Sequence, residues 1–246
     1  MWLDPFFANK VGQDIVAAVI TLAAALGWLR VMDALAARGW LDHRLSRKII
    51  HIGTGPLFVV CWNLFSAEPW ARWAAALVPL AITLQFAAVG LGWMKDEAAV
   101  QAMTRTGDPR EILRGPLYYG LVFVVCTLVY WRTAPAGLLA LMLMCGGDGL
   151  ADIVGRRLGR VKLPFSTEKS WAGSAAMFTG SWLFAFVFVV WFAALGYYTL
   201  AGPLADTAGR VAMIALAATL VEALPFRDID NITVTAAAVL LGAWLF

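Results

Sequence analysis

Two aspartates four residues apart, Asp148 and Asp152, close a long apolar run and open a glycine-rich basic loop. On a helix, residues at that spacing share a face, with roughly 6 Å between Cβ atoms, so both carboxylates can face one magnesium ion. Gly155 and Gly159 continue the stripe and leave room for a ligand. Arg156, Arg157, Arg160 and Lys162, followed by Ser166, Lys169 and Ser170, offer cations and hydroxyls to phosphate oxygens. Carboxylates for a hard cation followed by cations for phosphates is the chemistry a metal–nucleotide complex requires. The competing reading is a membrane helix that ends in a solvated charged loop. Against it, an acid in an apolar helix costs about 2.5–3.5 kcal/mol near the bilayer centre, and less toward the helix end.

Two further polar constellations stand in apolar surroundings. Arg47, Lys48 and His51 precede Gly53, Gly55 and Pro56, and Arg47, His51 and Gly55 share a helical face. A histidine one turn inside a membrane boundary, beneath two cations, suits a proton acceptor, a phosphate ligand or a partner for a neighbouring helix. The spacing leaves all three open. Glu222 lies in an apolar run that Pro225 breaks, and Arg227, Asp228, Asp230 and Asn231 crowd the turn that follows. An acid inside a membrane helix is a functional candidate by default, whereas a turn alone is polar punctuation. Connector 95–114 mixes both charge signs and reads as a solvated face. Its end, Arg114-Gly115-Pro116 with Tyr118 and Tyr119, is the part that can border a site.

These residues need a scaffold, and composition names its kind. The 246-residue chain is 61% hydrophobic and 14% charged, with 12 tryptophans and a mean hydropathy of +0.76. That is the composition of a polytopic membrane protein. We expect an all-α, polytopic transmembrane helix bundle of about eight spans, near 13–33, 49–66, 70–92, 115–132, 135–154, 171–195, 209–224 and 229–246. The second and last are short for a full crossing. Fifteen of the 19 lysines and arginines fall in the connectors after the odd-numbered spans or, for Arg30, in the last turn before one. By the positive-inside rule the amino terminus is then outside, and all three polar constellations face the cytoplasm. Trp28, Trp70, Trp73, Trp93, Trp131 and Trp171 sit near span ends, as interfacial anchors do. Ser174, Thr179 and Ser181 in the sixth span suit helix packing. The amino terminus lacks a basic leader, so the first helix is expected to be retained.

Several other classes lack their signatures. Cys61, Cys126 and Cys145 are isolated in apolar segments and form neither a disulfide framework nor a zinc pattern. His43 and His51 are too few for a histidine-rich metal site. There is no P-loop, HExxH or GxSxG motif. No nucleic-acid partner is expected, and the oligomeric state is open. A transporter is the alternative from a different class, since it too carries polar residues in its helices; it should place some of them near the midplane and open to both sides, whereas these crowd one face.

Four segments carry a resemblance: Arg47-Lys48-x-x-His51-x-x-x-Gly55; Gly147-Asp148-Gly149-x-Ala151-Asp152-x-x-Gly155-Arg156-x-x-Gly159; Lys162-Leu163-Pro164 with Lys169-Ser170-x-Ala172-Gly173-Ser174; and Glu222-x-x-Pro225 with Asp230-Asn231. Together they resemble the phytol kinase and dolichol kinase family, polytopic enzymes that phosphorylate long isoprenoid alcohols, typically with CTP. Residues 147–174 are the specific part and look closest to the phytol kinase branch. Many dolichol kinases and the related phosphatidate cytidylyltransferases carry a Ser-Pro-Lys-Lys-type loop and Glu-Gly, where this chain has Phe165-Ser166-Thr167-Glu168-Lys169-Ser170 and Ala172-Gly173.

The resemblance implies a single integral-membrane kinase domain over residues 1–246, in a plasma or inner membrane. It would transfer the γ-phosphoryl of CTP, or another nucleoside triphosphate, to phytol, geranylgeraniol or a similar isoprenoid alcohol. Asp148 and Asp152 would hold Mg2+. Arg156, Arg157, Lys162 and Lys169 would neutralise phosphates, with Arg47, Lys48, Gly155, Gly159 and Ser170 also lining the nucleotide. Glu222, Asp230 and Asn231 would supply further metal or nucleobase contacts, and His51 would be the base. The alternatives are a CTP:lipid-phosphate cytidylyltransferase, which attacks the α-phosphorus, and then a diacylglycerol kinase.

Overall fold

Apolar runs between capping residues become helices throughout the computed structural model, which describes residues 2–224 and 229–246. Pro225, Arg227 and Asp228, named above, lie outside the described residues. Six segments are long and apolar enough to cross a bilayer: Lys10–Ala37, Ala71–Gly90, Pro109–Val129, Pro135–Leu158, Trp171–Ala194 and Leu204–Ala223. The all-α, polytopic membrane architecture follows from them. The second and last expected spans are helical too, but they fall outside that group of six, as their short apolar stretches foretold. The chain divides into two compact units, Met1–Leu128 and Val129–Phe246.

In the first unit, Asn9 caps helix α1 (Lys10–Ala37), its side chain accepting from Val11 N at 3.0 Å and Gly12 N at 3.3 Å. At ~1.5 Å per residue, 28 residues reach about 42 Å, more than a hydrocarbon core of ~30 Å. Helix α2 (His43–Cys61) starts at Asp42, whose side chain accepts from Leu45 N. It crosses α1 where Gly53 lacks a side chain: a Cβ there would lie 2.4 Å from Trp28. Helix α3 (Ala71–Gly90) meets α5 (Gly115–Val129) at Gly120, where a Cβ would sit 2.2 Å from Thr83 Oγ1. Between them the mixed-charge connector folds into a short helix, α4 (Glu97–Met103), and a 3-10 turn (Pro109–Leu113). Its residues are mostly exposed, as a solvated face requires.

In the second unit, α6 (Pro135–Met142) continues through a π-helical stretch (Leu143–Asp148) into α7 (Gly149–Leu158). This rod packs on α8 (Trp171–Ala194), α8 on α9 (Leu204–Ala223), α9 on α10 (Asp230–Leu245), and α10 returns against α6. Helix α9 opens at Leu204, earlier than the expected 209, because Pro203 and Asp206 make a good first turn. Of the tryptophans read as lipid anchors, Trp70, Trp73, Trp93 and Trp171 are exposed. Trp131 is a correction: it is buried, with the buried Arg132 guanidinium 5.0 Å from its ring and 5.0 Å from Tyr197. Cation–π attraction between desolvated groups outweighs the interfacial preference there.

Candidate active site

The rod from Pro135 to Leu158 is the most deeply buried of the six apolar segments, and its π-helical stretch ends on Asp148. Such stretches change the register of a helix and recur at functional sites. Here it runs through Gly146 and Gly147, which let α8 approach the backbone. A Cβ on Gly147 would lie 2.1 Å from Ser181 Oγ, and one on Gly146 would lie 2.6 Å from Phe184. Leu143 to Gly147 are buried and Asp148 emerges half-buried. Its backbone is helical (φ −60°, ψ −40°), so the four-residue spacing does place Asp148 and Asp152 on successive turns of one face. Asp152 Oδ1 accepts from Arg156 Nε at 2.9 Å, one turn further on.

The basic loop after α7 is a small hairpin. Lys162 and Ser170 form an antiparallel bridge, and Leu163 N donates to Lys169 O at 3.0 Å. Leu163 is buried and anchors it. Lys162 is exposed, its Nζ donating to Glu168 O at 3.2 Å, and Arg156 and Arg157 are exposed on α7. Two expectations change here. Gly155 and Gly159 give their space to protein rather than to a ligand: a Cβ on Gly159 would lie 2.4 Å from Ser170 Oγ, and one on Gly155 would lie 3.4 Å from Gly173 Cα. Ser170 is buried as the cap of α8, its Oγ accepting from Gly173 N at 3.2 Å. The glycine stripe is thus the seam that seats α7 on the start of α8. Ser174, read from sequence as a packing residue, has a buried Oγ with no hydrogen-bond partner among the described residues.

Lys169 is where the polar elements of this unit meet. Its Nζ donates to Glu222 Oε1 at the end of α9, and Glu222 is only 5% exposed. Burial works against the Lys169 ammonium, but Glu222, then Asp148 and Asp230, outweigh it and hold the lysine above its ordinary range. Asp230 opens α10, where Asn231 is buried and its backbone N donates to Asp230 Oδ1 at 3.1 Å. Sequence reading named each of these residues without pairing Lys169 to Glu222. The signal it had was a lone acid in an apolar helix, which calls for a cationic partner. Among the described residues, no three His, Cys, Asp or Glu side chains converge as a metal cage.

Arg47, Lys48 and His51 belong to the first unit. Arg47 Nη1 donates to Thr104 O at 2.9 Å. The His51 ring lies 4.4 Å from that of Tyr119 on α5, and the Tyr119 hydroxyl donates to His51 O at 2.8 Å. Tyr119, Phe123 and Phe58 continue from His51 as an aromatic seam between α2 and α5, with centroids 4.8 and 5.5 Å apart. The end of the charged connector therefore borders His51.

No family model and no solved structure matches the chain. Curated proteins do. The chain is 45% identical over 236 residues to "Probable phytol kinase 1, chloroplastic" of Oryza sativa subsp. japonica, spanning 95% of this chain and 74% of that protein. To "Probable phytol kinase, chloroplastic" of Zea mays it is 44% identical, spanning 95% and 77%. To "Phytol kinase 1, chloroplastic" of Arabidopsis thaliana it is 38% identical, spanning 94% and 76%. Matches at this identity cover 94–95% of the chain, and on that ground the chain belongs to the phytol kinase family.

Proposed function

We propose that the chain is a membrane lipid-alcohol kinase acting on phytol, geranylgeraniol or a similar isoprenoid alcohol, with CTP or another nucleoside triphosphate as donor. The observation that carries the reading is Lys169, an ammonium set among Glu222, Asp148 and Asp230 from three other elements at the end of an apolar bundle. Charges of both signs beside membrane-length helices suit a reaction between a water-soluble polyphosphate and a lipid. The basic connectors favour the cytoplasmic side of a plasma or inner membrane for this site.

In the reaction, the alcohol oxygen forms a bond to the γ-phosphorus as the bond from that phosphorus to the bridging oxygen breaks. The nucleoside diphosphate leaves with the electron pair, and the hydroxyl proton passes to a base. The transition state is loose, so the protein's share is positioning and charge neutralisation. Lys169, exchanging Glu222 for phosphoryl oxygens, serves this, and so do Arg156, Arg157 and Lys162 on the exposed rim. Within the first unit, Arg47 and Lys48 are the cations proposed as phosphate ligands. His51 either takes the hydroxyl proton or holds a phosphate oxygen.

Asp148 and Asp152 suit magnesium as a donor set: two carboxylates on one helical face, with nucleotide phosphates completing the shell. Magnesium bound there would neutralise charge on the phosphates. A metal that arrives with its nucleotide needs no protein cage. The apolar helices would take the isoprenoid tail directly from the bilayer.

Isotope-labelled CTP tests the proposal. With the purified protein in detergent and phytol as acceptor, the γ label is expected in a lipid heavier by one phosphate. An α label in the lipid would mean cytidylyl transfer, and label in neither position would overturn group transfer to the lipid.

A further inference from the structure

We infer that the first unit carries a phosphoryl-binding cleft of its own, between the start of α2 and the turn after α4. The cleft has a volume of about 230 Å³ and is lined by Arg44, Arg47, Gln101, Thr104, Arg105 and Gly107. Three of those six residues are arginines and none is acidic. A guanidinium matches phosphate oxygens with paired donors, so three in one hollow suit an anion of that shape.

The walls are held in place. Arg47 Nη1 donates to Thr104 O at 2.9 Å, joining the two sides. Thr104 Oγ1 donates to Val100 O at 2.7 Å and accepts from Gly107 N at 3.1 Å, which locks the turn. Gly107 has φ +86°, a left-handed conformation that glycine adopts at no steric cost. The nearby acid, Glu111, is engaged by the Arg105 backbone N–H and the Thr106 hydroxyl. Arg44 forms no ion pair among the described residues. The volume is below the ~300–1,000 Å³ of sites for drug-sized ligands, so a phosphate or diphosphate group fits and a whole nucleoside does not.

Such a group belongs either to a nucleotide tail or to an anionic lipid headgroup. The inference rests on the kinase reading only where the nucleotide is concerned. Its test is the rate at which phenylglyoxal modifies each arginine, followed by mass spectrometry on the full chain in phosphate-free detergent without alcohol. Protection by a ligand scales as 1 + [L]/Kd, so inorganic pyrophosphate at about ten times its Kd should slow modification of Arg44 and Arg105 roughly tenfold. The exposed Arg38 and Arg110 should react at unchanged rates. In Arg44→Gln, protection of Arg105 should require more pyrophosphate. CTP that protects in place of pyrophosphate assigns the group to a nucleotide. Nanodiscs containing phosphatidate that protect where CTP does not assign it to a lipid headgroup. Unchanged rates at Arg44 and Arg105, or equal slowing at Arg38, overturn the cleft. Because nothing turns over in this experiment, its failure and a failure of labelled phosphate to reach phytol are separate results.

Discussion

Two acids lie almost wholly buried in apolar helices, one in each unit, and they are satisfied in opposite ways. Asp14 of α1, 2% exposed, accepts from Ser66 N at 2.7 Å and Ser66 Oγ at 2.9 Å, both neutral donors. Its neighbour Gln13 ties Asp4 and Leu64 O to the same helix end. That is a closed arrangement, and it pins a loop. Glu222, 5% exposed, meets the Lys169 ammonium, and Asp148 and Asp230 share the same cation. Charges of both signs, drawn from four elements, therefore meet around Glu222. Burial alone therefore does not mark a functional acid. What distinguishes Glu222 is that its company is charged, whereas that of Asp14 is neutral.

The largest expected effect is Asp148→Asn, which should lower kcat by about 10²–10³-fold, the range for loss of one preorganised electrostatic group. Melting in detergent should be near wild type. Near-normal turnover in that variant would put Asp148 in the same structural class as Asp14. Next, Lys169→Met strands Glu222 and should destabilise the protein by about 3 kcal/mol, the low end for a broken buried pair because Lys169 is a quarter exposed. Lys169→Met with Glu222→Gln should recover most of that stability and still be inactive; recovery of activity would make the pair structural. The same pair gives a pH test. The folded pKa of Lys169 lies above its ordinary 10.5, so its stabilisation is complete below that pH and lost as pH rises through the folded value. Wild type should lose melting temperature relative to the double variant, which lacks the pair, only above about pH 10.5.

Asp14→Ala leaves the Ser66 donors buried without their acceptor and should cost about 1–3 kcal/mol, with kcat per folded molecule unchanged. A fall in kcat at constant fold would erase the contrast between the two acids. His51→Gln should raise the nucleotide KM and leave the acidic limb of the pH–rate profile in place, because a loose transition state holds the alcohol proton until late. Disappearance of a limb near pKa ~6–7 would make His51 the base instead. Ser174→Ala should be the mildest. Its Oγ has no partner among the described residues, so stability should hold or rise slightly, while a nucleotide KM higher by up to about tenfold, roughly 1.4 kcal/mol, would mark it as a phosphate contact. No change in KM would return it to packing.

Much of this molecule is legible along the chain because its determinants are local. Hydropathy, caps such as Asn9 and Asp42, and charge runs define the helices and their ends before any of them touch. The i,i+4 spacing of Asp148 and Asp152 survives intact, since a helix preserves sequence spacing as geometry. Other features depend on residues far apart in sequence. Lys169 and Glu222 are 53 positions apart, and no periodicity can say that the end of α9 arrives at the hairpin. Gly155 and Gly159 look alike whether they face a ligand or another helix, and only the seat of α8 on α7 gives their space to Ser170 and Gly173. Trp131 reads as a lipid anchor until Arg132 and Tyr197 bury it. Sequence by itself determined which segments are helical, which are long and apolar enough to span a bilayer, and which residues have the chemistry to be candidates for phosphate or metal. Tertiary packing decided which charges meet, because a buried ion pair is a property of two surfaces brought together and neither segment carries it alone.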